Sequence, residues 1–250
     1  MTLAVVTGGE SGIGAACAVR LAEAGADVVI SYHKDKQAAD EVIRRVRAAG
    51  REGLAVQCDV ASEEDVAALF DGAARFGTCR WLVNSAGVNM SGIPVEQMEL
   101  AQFKRTVATD LTGSFLTCRE FVRHLDGKGG RIVNISSIHE FAPRPGAADY
   151  DAAKGGLSQL TRTLALELAP KHVAVNGVAP GMILTPMNEE AVEDAEVRRK
   201  REAAIPWGRA GKAEEVAELV AFMLSPEADY ITGATITIDG GLSLTVAQGA

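Results

Sequence analysis

Seven short runs rich in Val, Ile and Leu, at 3–7, 27–32, 53–57, 81–84, 131–135, 173–178 and 234–238, punctuate this chain. Longer segments fill the gaps. Residues 13–24, 38–49 and 63–76 carry apolar side chains at helical spacing, and Leu157, Leu160, Leu164 and Leu168 step by three and four along another helix. Runs that are apolar throughout, rather than alternating, belong to strands covered on both faces, and helical crossovers between strands make neighbours parallel. The expected class is α/β: a doubly wound, parallel, seven-stranded sheet with helices on both faces. No repeat or linker divides the 250 residues, so a single domain, 1–250, is expected. The stretch 185–205 departs from the pattern. It is helical in period but heavily charged, lies between two strand elements, and predicts a surface excursion acting as a substrate lid.

Composition narrows the function. A net charge of −8 disfavours nucleic acid and anionic membranes as partners. No apolar run is long enough to span a bilayer, and the chain passes from Met1 into its first strand without a basic region or cleavage site. Cys17, Cys58, Cys79 and Cys118 are scattered, with no C-x-x-C and no His at ligand spacing. They read as small buried hydrophobes in a reducing cytoplasm, and no metal is expected.

The first candidate site is Thr7-Gly8-Gly9-Glu10-Ser11-Gly12-Ile13-Gly14, which follows the first strand and opens the first helix. Glycines let the backbone turn sharply and approach a pyrophosphate, whose charge meets the helix's N-terminal N–H groups. The spacing Gly8, Gly12, Gly14 is G-x-x-x-G-x-G, distinct from the commoner dinucleotide spacing. Gly8, Ser11, Gly12, Ile13 and Gly14 are the expected contacts.

Further along stand Cys58-Asp59-Val60, Asn84-Ser85-Ala86-Gly87, the set Ser137, Tyr150 and Lys154, and Val175-Asn176-Gly177-Val178-Ala179-Pro180-Gly181. With the glycine turn, these motifs resemble the short-chain dehydrogenase/reductase family over nearly the whole chain. The resemblance implies a Rossmann-type fold and an NAD(P)-dependent oxidoreductase acting on a small alcohol or carbonyl substrate. It implies that Asp59 holds the adenine amino group with Val60 beside the ring, and that Asn84, Ala86 and Gly87 line the ribose side. It also places Pro180, Gly181, Ile183 and Thr185 at the nicotinamide.

Tyr150 and Lys154 are four residues apart at the start of a helical stretch, which puts both on one face. An ammonium near a phenol favours the phenolate, so Tyr150 is expected to titrate below its ordinary value of about 10. The resemblance makes Tyr150 the acid–base and a substrate contact. Lys154 becomes its tuning partner and a ribose contact, and Ser137 the hydroxyl that holds the substrate oxygen. One position departs from the pattern. Where the family carries Asn, whose main chain helps hold a water linking the Lys to solvent, this chain has Asp110, within Thr109-Asp110-Leu111-Thr112-Gly113. Asp110 is kept as a catalytic candidate that alters the pH profile.

For the cofactor, NAD-specific relatives carry an acid at the end of the second strand. Here Tyr32 occupies that position, followed by His33 and Lys34. Lys34 can pair with a 2′-phosphate, so NADP is expected, with NAD as the second choice. For the substrate, Ser136-Ser137-Ile138-His139-Glu140 and the C-terminal tail resemble bacterial glucose 1-dehydrogenases, which implies a sugar or polyol with His139 among its contacts. A 3-oxoacyl-thioester reductase is the alternative within the family, and a non-catalytic dinucleotide-binding regulator the alternative outside it. The resemblance also implies a homotetramer, supported by a helix from Phe115 to Leu125 that is apolar on more than one face.

Overall fold

The computed structural model describes residues 2–90 and 92–247. Its first half alternates strands β1 (Leu3–Thr7), β2 (Asp27–Tyr32), β3 (Gly53–Gln57) and β4 (Cys79–Asn84) with helices α1 (Gly12–Glu23), α2 (Lys36–Ala48) and α3 (Glu63–Ala74). The second half adds α4 (Leu100–Val107), α5 (Gly113–Arg123), β5 (Gly130–Ile135), α6 (Ala148–Leu168) and β6 (Val173–Pro180). It continues through β7 (Ile183–Leu184), α7 (Glu189–Glu193), α8 (Ala195–Glu202), β8 (Gly211–Lys212), α9 (Ala213–Leu224) and β9 (Thr235–Ile238). Short polar side chains start several helices: Asp35 accepts from the Ala38 N–H, and Ser62 from the Asp65 N–H ahead of an acidic first turn.

Seven strands form one parallel sheet in the order β3-β2-β1-β4-β5-β6-β9. Strand β1 shows why its residues are apolar throughout. Ala4 and Val6 face the layer containing Leu21, Val216 and Met223, whereas Leu3 and Val5 face the layer containing Phe70, Phe121 and Leu168. Both faces are covered, so each of these side chains is removed from water, worth about 1.5–3 kcal/mol for a Val or Leu. The seven expected strands are present, with bounds that differ by two residues at most. Among the described residues no helix is long and apolar enough to cross a membrane.

The chain winds outward from β1 to β3, then returns to place β4 on the other side of β1. That reversal leaves a crevice at the carboxyl ends of β1 and β4, where ligands of such sheets bind. Thr7 stitches its floor, its Oγ1 accepting from the N–H groups of Ser85 and Ala86 at 3.1 Å each.

Three features go beyond the sequence expectation. Ala108–Thr112 forms a π-helical turn between α4 and α5, an irregularity that the sequence did not signal. The buried stripe of α6 runs through Tyr150, Lys154, Leu157, Ser158, Thr161, Ala165 and Leu168, with Leu160 and Leu164 on its flank. Leu157 and Leu168 lie in the stripe as the periodicity expects and Leu164 packs beside it, while toward the start of the helix the stripe continues through polar groups. Finally, β7 and β8 pair as a small parallel ribbon, which ties together the two ends of the excursion carrying α7 and α8.

Candidate active site

The carboxyl ends of the strands surround a cleft of about 320 Å³, the size of a small-molecule site. The glycine turn forms one wall. Gly8 and Gly12 have φ of 60° and 53°, where a side chain is strained, and a Cβ on Gly8 would come 2.8 Å from the Ala86 backbone. Ser11, Gly12 and Ile13 bring the start of α1 to the same wall. Ser11 makes no side-chain cap, so the helix's first N–H groups are left for an anion. Gly14 stands behind the wall, where a Cβ would strike the Gly8 carbonyl oxygen at 2.1 Å.

The other walls come from distant strands. Asp59 and Val60 follow β3, Ala86 and Gly87 follow β4, Pro180 and Gly181 end β6, and Ile183 and Thr185 lead into the excursion. Asp59 also accepts from the Ala61 N–H at 3.0 Å, which shapes its turn. Tyr32, Lys34, Asn84, Asp110 and His139 do not line the cleft. Tyr32 packs into the core, and Lys34 is exposed beyond it. Asn84 is buried beneath the cleft, donating to Asn134 at 2.8 Å and accepting from Thr117 at 2.6 Å.

Ser137, Tyr150 and Lys154 converge at the cleft although they arise from different elements. Ser137 lies just past β5, and its Oγ accepts from the His139 N–H at 3.2 Å. Tyr150 and Lys154 occupy successive turns of α6, with the ammonium 5.4 Å from the phenol ring's centre. All three are buried but line the cavity. The Lys154 Nζ donates to the Ile135 carbonyl oxygen at 3.1 Å and lies 3.1 Å from the Asp110 carboxylate. Burial works against the Lys154 ammonium, but Asp110 and Tyr150 outweigh it and hold the group above its ordinary range. Asp110 is enclosed completely, and burial pushes its carboxyl up against the pull of Lys154 and the Val88 N–H. Each partner offsets part of the burial cost of the other.

His139 packs edge-to-face on Tyr150 with ring centres 5.7 Å apart, and its Nδ1 lies 3.0 Å from the Asp151 carboxylate. Burial pushes the imidazole below its ordinary 6.5 although Asp151 pulls upward, so the ring is neutral at pH 7. Glu140, also near Lys154, accepts from Ser158 at 2.9 Å.

Several residues here were not signalled by the sequence. Glu10 lines the cleft, accepts from the His33 N–H at 3.3 Å, and has its other carboxylate oxygen enclosed without a hydrogen-bond partner. His33, Arg105, Met187 and Asn188 also line it. Asp149 and Asp151 flank Tyr150; their place beside a candidate acid–base was the available signal. The four cysteines are buried, and burial pushes each thiol up to about 12, so none offers a thiolate at pH 7.

A nicotinamide dinucleotide fits this arrangement. The glycine cradle admits no Cβ, the start of α1 is uncapped, and an orphaned carboxylate oxygen stands beside the end of β2. Comparison with known proteins agrees. Residues 8–243 match the family model described as "Enoyl-(Acyl carrier protein) reductase". The chain is 43% identical to 3beta-hydroxysteroid dehydrogenase 1 of Eggerthella lenta, over 96% of this chain and 93% of that protein. It is 39% identical to glucose 1-dehydrogenase 2 of Bacillus subtilis, over 98% and 96%. The crystal structure of acetoin dehydrogenase from Enterobacter cloacae superposes with a TM-score of 0.91 at 38% identity, covering 100% of this chain and 98% of that one. Sequence motifs, sheet order and these matches agree, and the chain belongs to the short-chain dehydrogenase/reductase family of oxidoreductases.

Proposed function

We propose that the chain oxidises or forms a secondary hydroxyl on a small polar substrate, a sugar or polyol, with NADP(H) preferred and NAD(H) accepted. The observation that carries this reading is the meeting of Ser137, Tyr150 and Lys154 in the lining of the glycine-walled cleft. When bound, the nicotinamide supplies or receives the hydride. Gly8, Ser11, Gly12 and Ile13 would hold its pyrophosphate, Asp59 and Val60 its adenine, and Pro180, Gly181, Ile183 and Thr185 its nicotinamide end. Ser137 holds the substrate oxygen through its hydroxyl. Tyr150 takes the proton from the alcohol, or returns it to the carbonyl, at the phenolic oxygen. Lys154 favours the phenolate by its charge, and Asp110 keeps that charge in place.

The sugar or polyol reading rests on the resemblance of residues 136–140 to bacterial glucose 1-dehydrogenases; His139 itself stands outside the cleft lining and packs edge-to-face on Tyr150, where it steadies the acid–base. The relatives' names span a steroid, glucose and acetoin, so no one name fixes the substrate. For the cofactor, two features pull in opposite directions. The end of β2 presents His33 and Lys34 and no carboxylate, which suits a 2′-phosphate, while Glu10 suits free ribose hydroxyls. Acceptance of both follows. The segment 185–205 serves as the lid, the working form is a homotetramer, and four unpaired thiols suit the cytoplasm.

The test is absorbance at 340 nm with each cofactor across sugars, polyols, hydroxyketones, steroid alcohols and 3-oxoacyl thioesters. Highest kcat/KM on a sugar or polyol supports the proposal, and highest kcat/KM on the thioester replaces it with an acyl reductase. Absence of turnover on every substrate, with cofactor bound, would leave a dinucleotide-binding regulator.

A further inference from the structure

Asp149 immediately precedes Tyr150, is completely buried, and has no part in the chemistry proposed above. Burying a carboxylate is costly unless donors satisfy it, and here three do. Its Oδ1 accepts from the main-chain N–H of Tyr150 at 2.8 Å. Its Oδ2 accepts from Thr106 Oγ1 at 2.9 Å and from Gln102 Nε2 at 3.2 Å. The Tyr150 N–H belongs to the first turn of α6, where no carbonyl four residues back is available. Without Asp149 that N–H would be orphaned beside the reacting group.

The donors form a pattern. Gln102, Thr106 and Asp110 recur at four-residue steps through α4 and the π-helical turn, which places them along one side. Gln102 and Thr106 grip Asp149, and Asp110 grips Lys154, so this polar rail holds α6 on both sides of Tyr150. The rail is itself anchored to the loop after β4, because Gln102 donates to the Met90 carbonyl oxygen at 3.0 Å and Asp110 accepts from the Val88 N–H at 2.8 Å. Val88 belongs to the cleft wall.

We propose that Asp149 is a positioning residue whose carboxylate clasps the first turn of α6 to the Gln102–Thr106–Asp110 rail and so fixes Tyr150 in the cleft that Ser137 and Lys154 also line. The clasp rests on the reading of Tyr150 as the acid–base. Its value is geometric: a shift of the reacting group by about 1 Å costs about 100-fold in rate.

The test compares the full-length wild type with Asp149→Ala, Asp149→Asn and Thr106→Val. Four quantities are measured: kcat, KM, cofactor affinity by direct titration with NADPH, and amide hydrogen exchange around Tyr150 in the free protein. Asp149→Ala is expected to speed exchange at the start of α6 and to lower kcat by about 10- to 100-fold, with KM and NADPH affinity near wild type. Asp149→Asn keeps an acceptor for the Tyr150 N–H and recovers most of the loss. Wild-type kcat and exchange in Asp149→Ala would overturn the clasp. So would a loss that Asn fails to rescue and that NADPH affinity shares. Should Asp149→Ala fail to fold, Thr106→Val decides: a fall in kcat at constant NADPH affinity upholds the clasp, and unchanged kcat and exchange remove it. If the wild type turns over no alcohol or carbonyl, the acid–base reading fails, while the exchange measurement still judges the clasp.

Discussion

The carboxylate of Asp110 lies 3.1 Å from the ammonium of Lys154, with both side chains enclosed by protein. Gly87 makes room for the pair, since a Cβ there would come 2.9 Å from Asp110 Oδ2. Asp110→Ala would strand the Lys154 charge and the Val88 N–H together. Removing one partner of a buried pair costs about 3–5 kcal/mol, which chemical denaturation will measure. A loss below about 1 kcal/mol, the size of an exposed pair, would show that Lys154 does not depend on Asp110. The pH dependence follows from the sign. Lys154 is held above its ordinary 10.5, so the folded state keeps a proton that the unfolded chain releases. Its stabilisation is complete below pH 10.5 and is lost as pH rises through the folded-state value.

Tyr150→Phe keeps the ring that packs against His139 but removes the oxygen that moves the proton. Turnover is expected to fall by about 10²–10⁴-fold, with NADPH affinity retained. Activity close to wild type would remove Tyr150 from the chemistry.

Glu10 brings a negative charge beside the end of β2, with one oxygen on the His33 N–H and the other unpartnered. Glu10→Gln is expected to raise kcat/KM for NADP(H) over NAD(H) by about tenfold, equivalent to ~1.4 kcal/mol of relieved repulsion. Lys34→Ala is expected to shift the same ratio the other way. If neither changes the ratio, the end of β2 does not govern cofactor choice.

The segment 185–205 is expected to open and close. Ala191 and Ile205 are its buried apolar residues, whereas much of its cohesion is internal, from the Glu190–Arg201 ion pair and from Arg198 to the Ala191 and Val192 carbonyls. Few buried contacts mean a low cost of opening. Hydrogen exchange there should be faster than in α6 in the free enzyme and slow down with cofactor and substrate bound. Exchange as slow as in α6, unchanged on binding, would make this a static surface element.

Phe115 on α5 and Leu166 on α6 are 42% and 82% exposed, apolar surface suited to burial against another copy. Light scattering is expected to give about four times the 26.2 kDa chain mass, and Leu166→Glu to lower it. A monomer mass at micromolar concentration would refute the tetramer.

The seven strands were legible in the sequence because burial on both faces demands unbroken apolar runs, a constraint that acts residue by residue. The glycine turn was legible for a similar reason: Gly8 and Gly14 allow no Cβ, and that requirement is local. Tyr150 and Lys154 could be paired from their spacing alone, since one helical turn separates them. Contacts between distant segments were a different matter. Glu10 meets His33 across 23 residues, Asp149 meets Thr106 across 43, and the ribbon of β7 and β8 closes over the excursion between them. Tyr32 went into the core rather than the cleft because the last residue of β2 points to the covered face. The leucine periodicity of α6 found Leu157 and Leu168 but not the polar part of the buried face, because Asn134, Glu140 and Asp110 lie where α6 packs and offer partners to Thr161, Ser158 and Lys154. Local backbone and burial requirements are written in single segments; the pairing of buried polar groups is decided only when the folded chain brings their partners together.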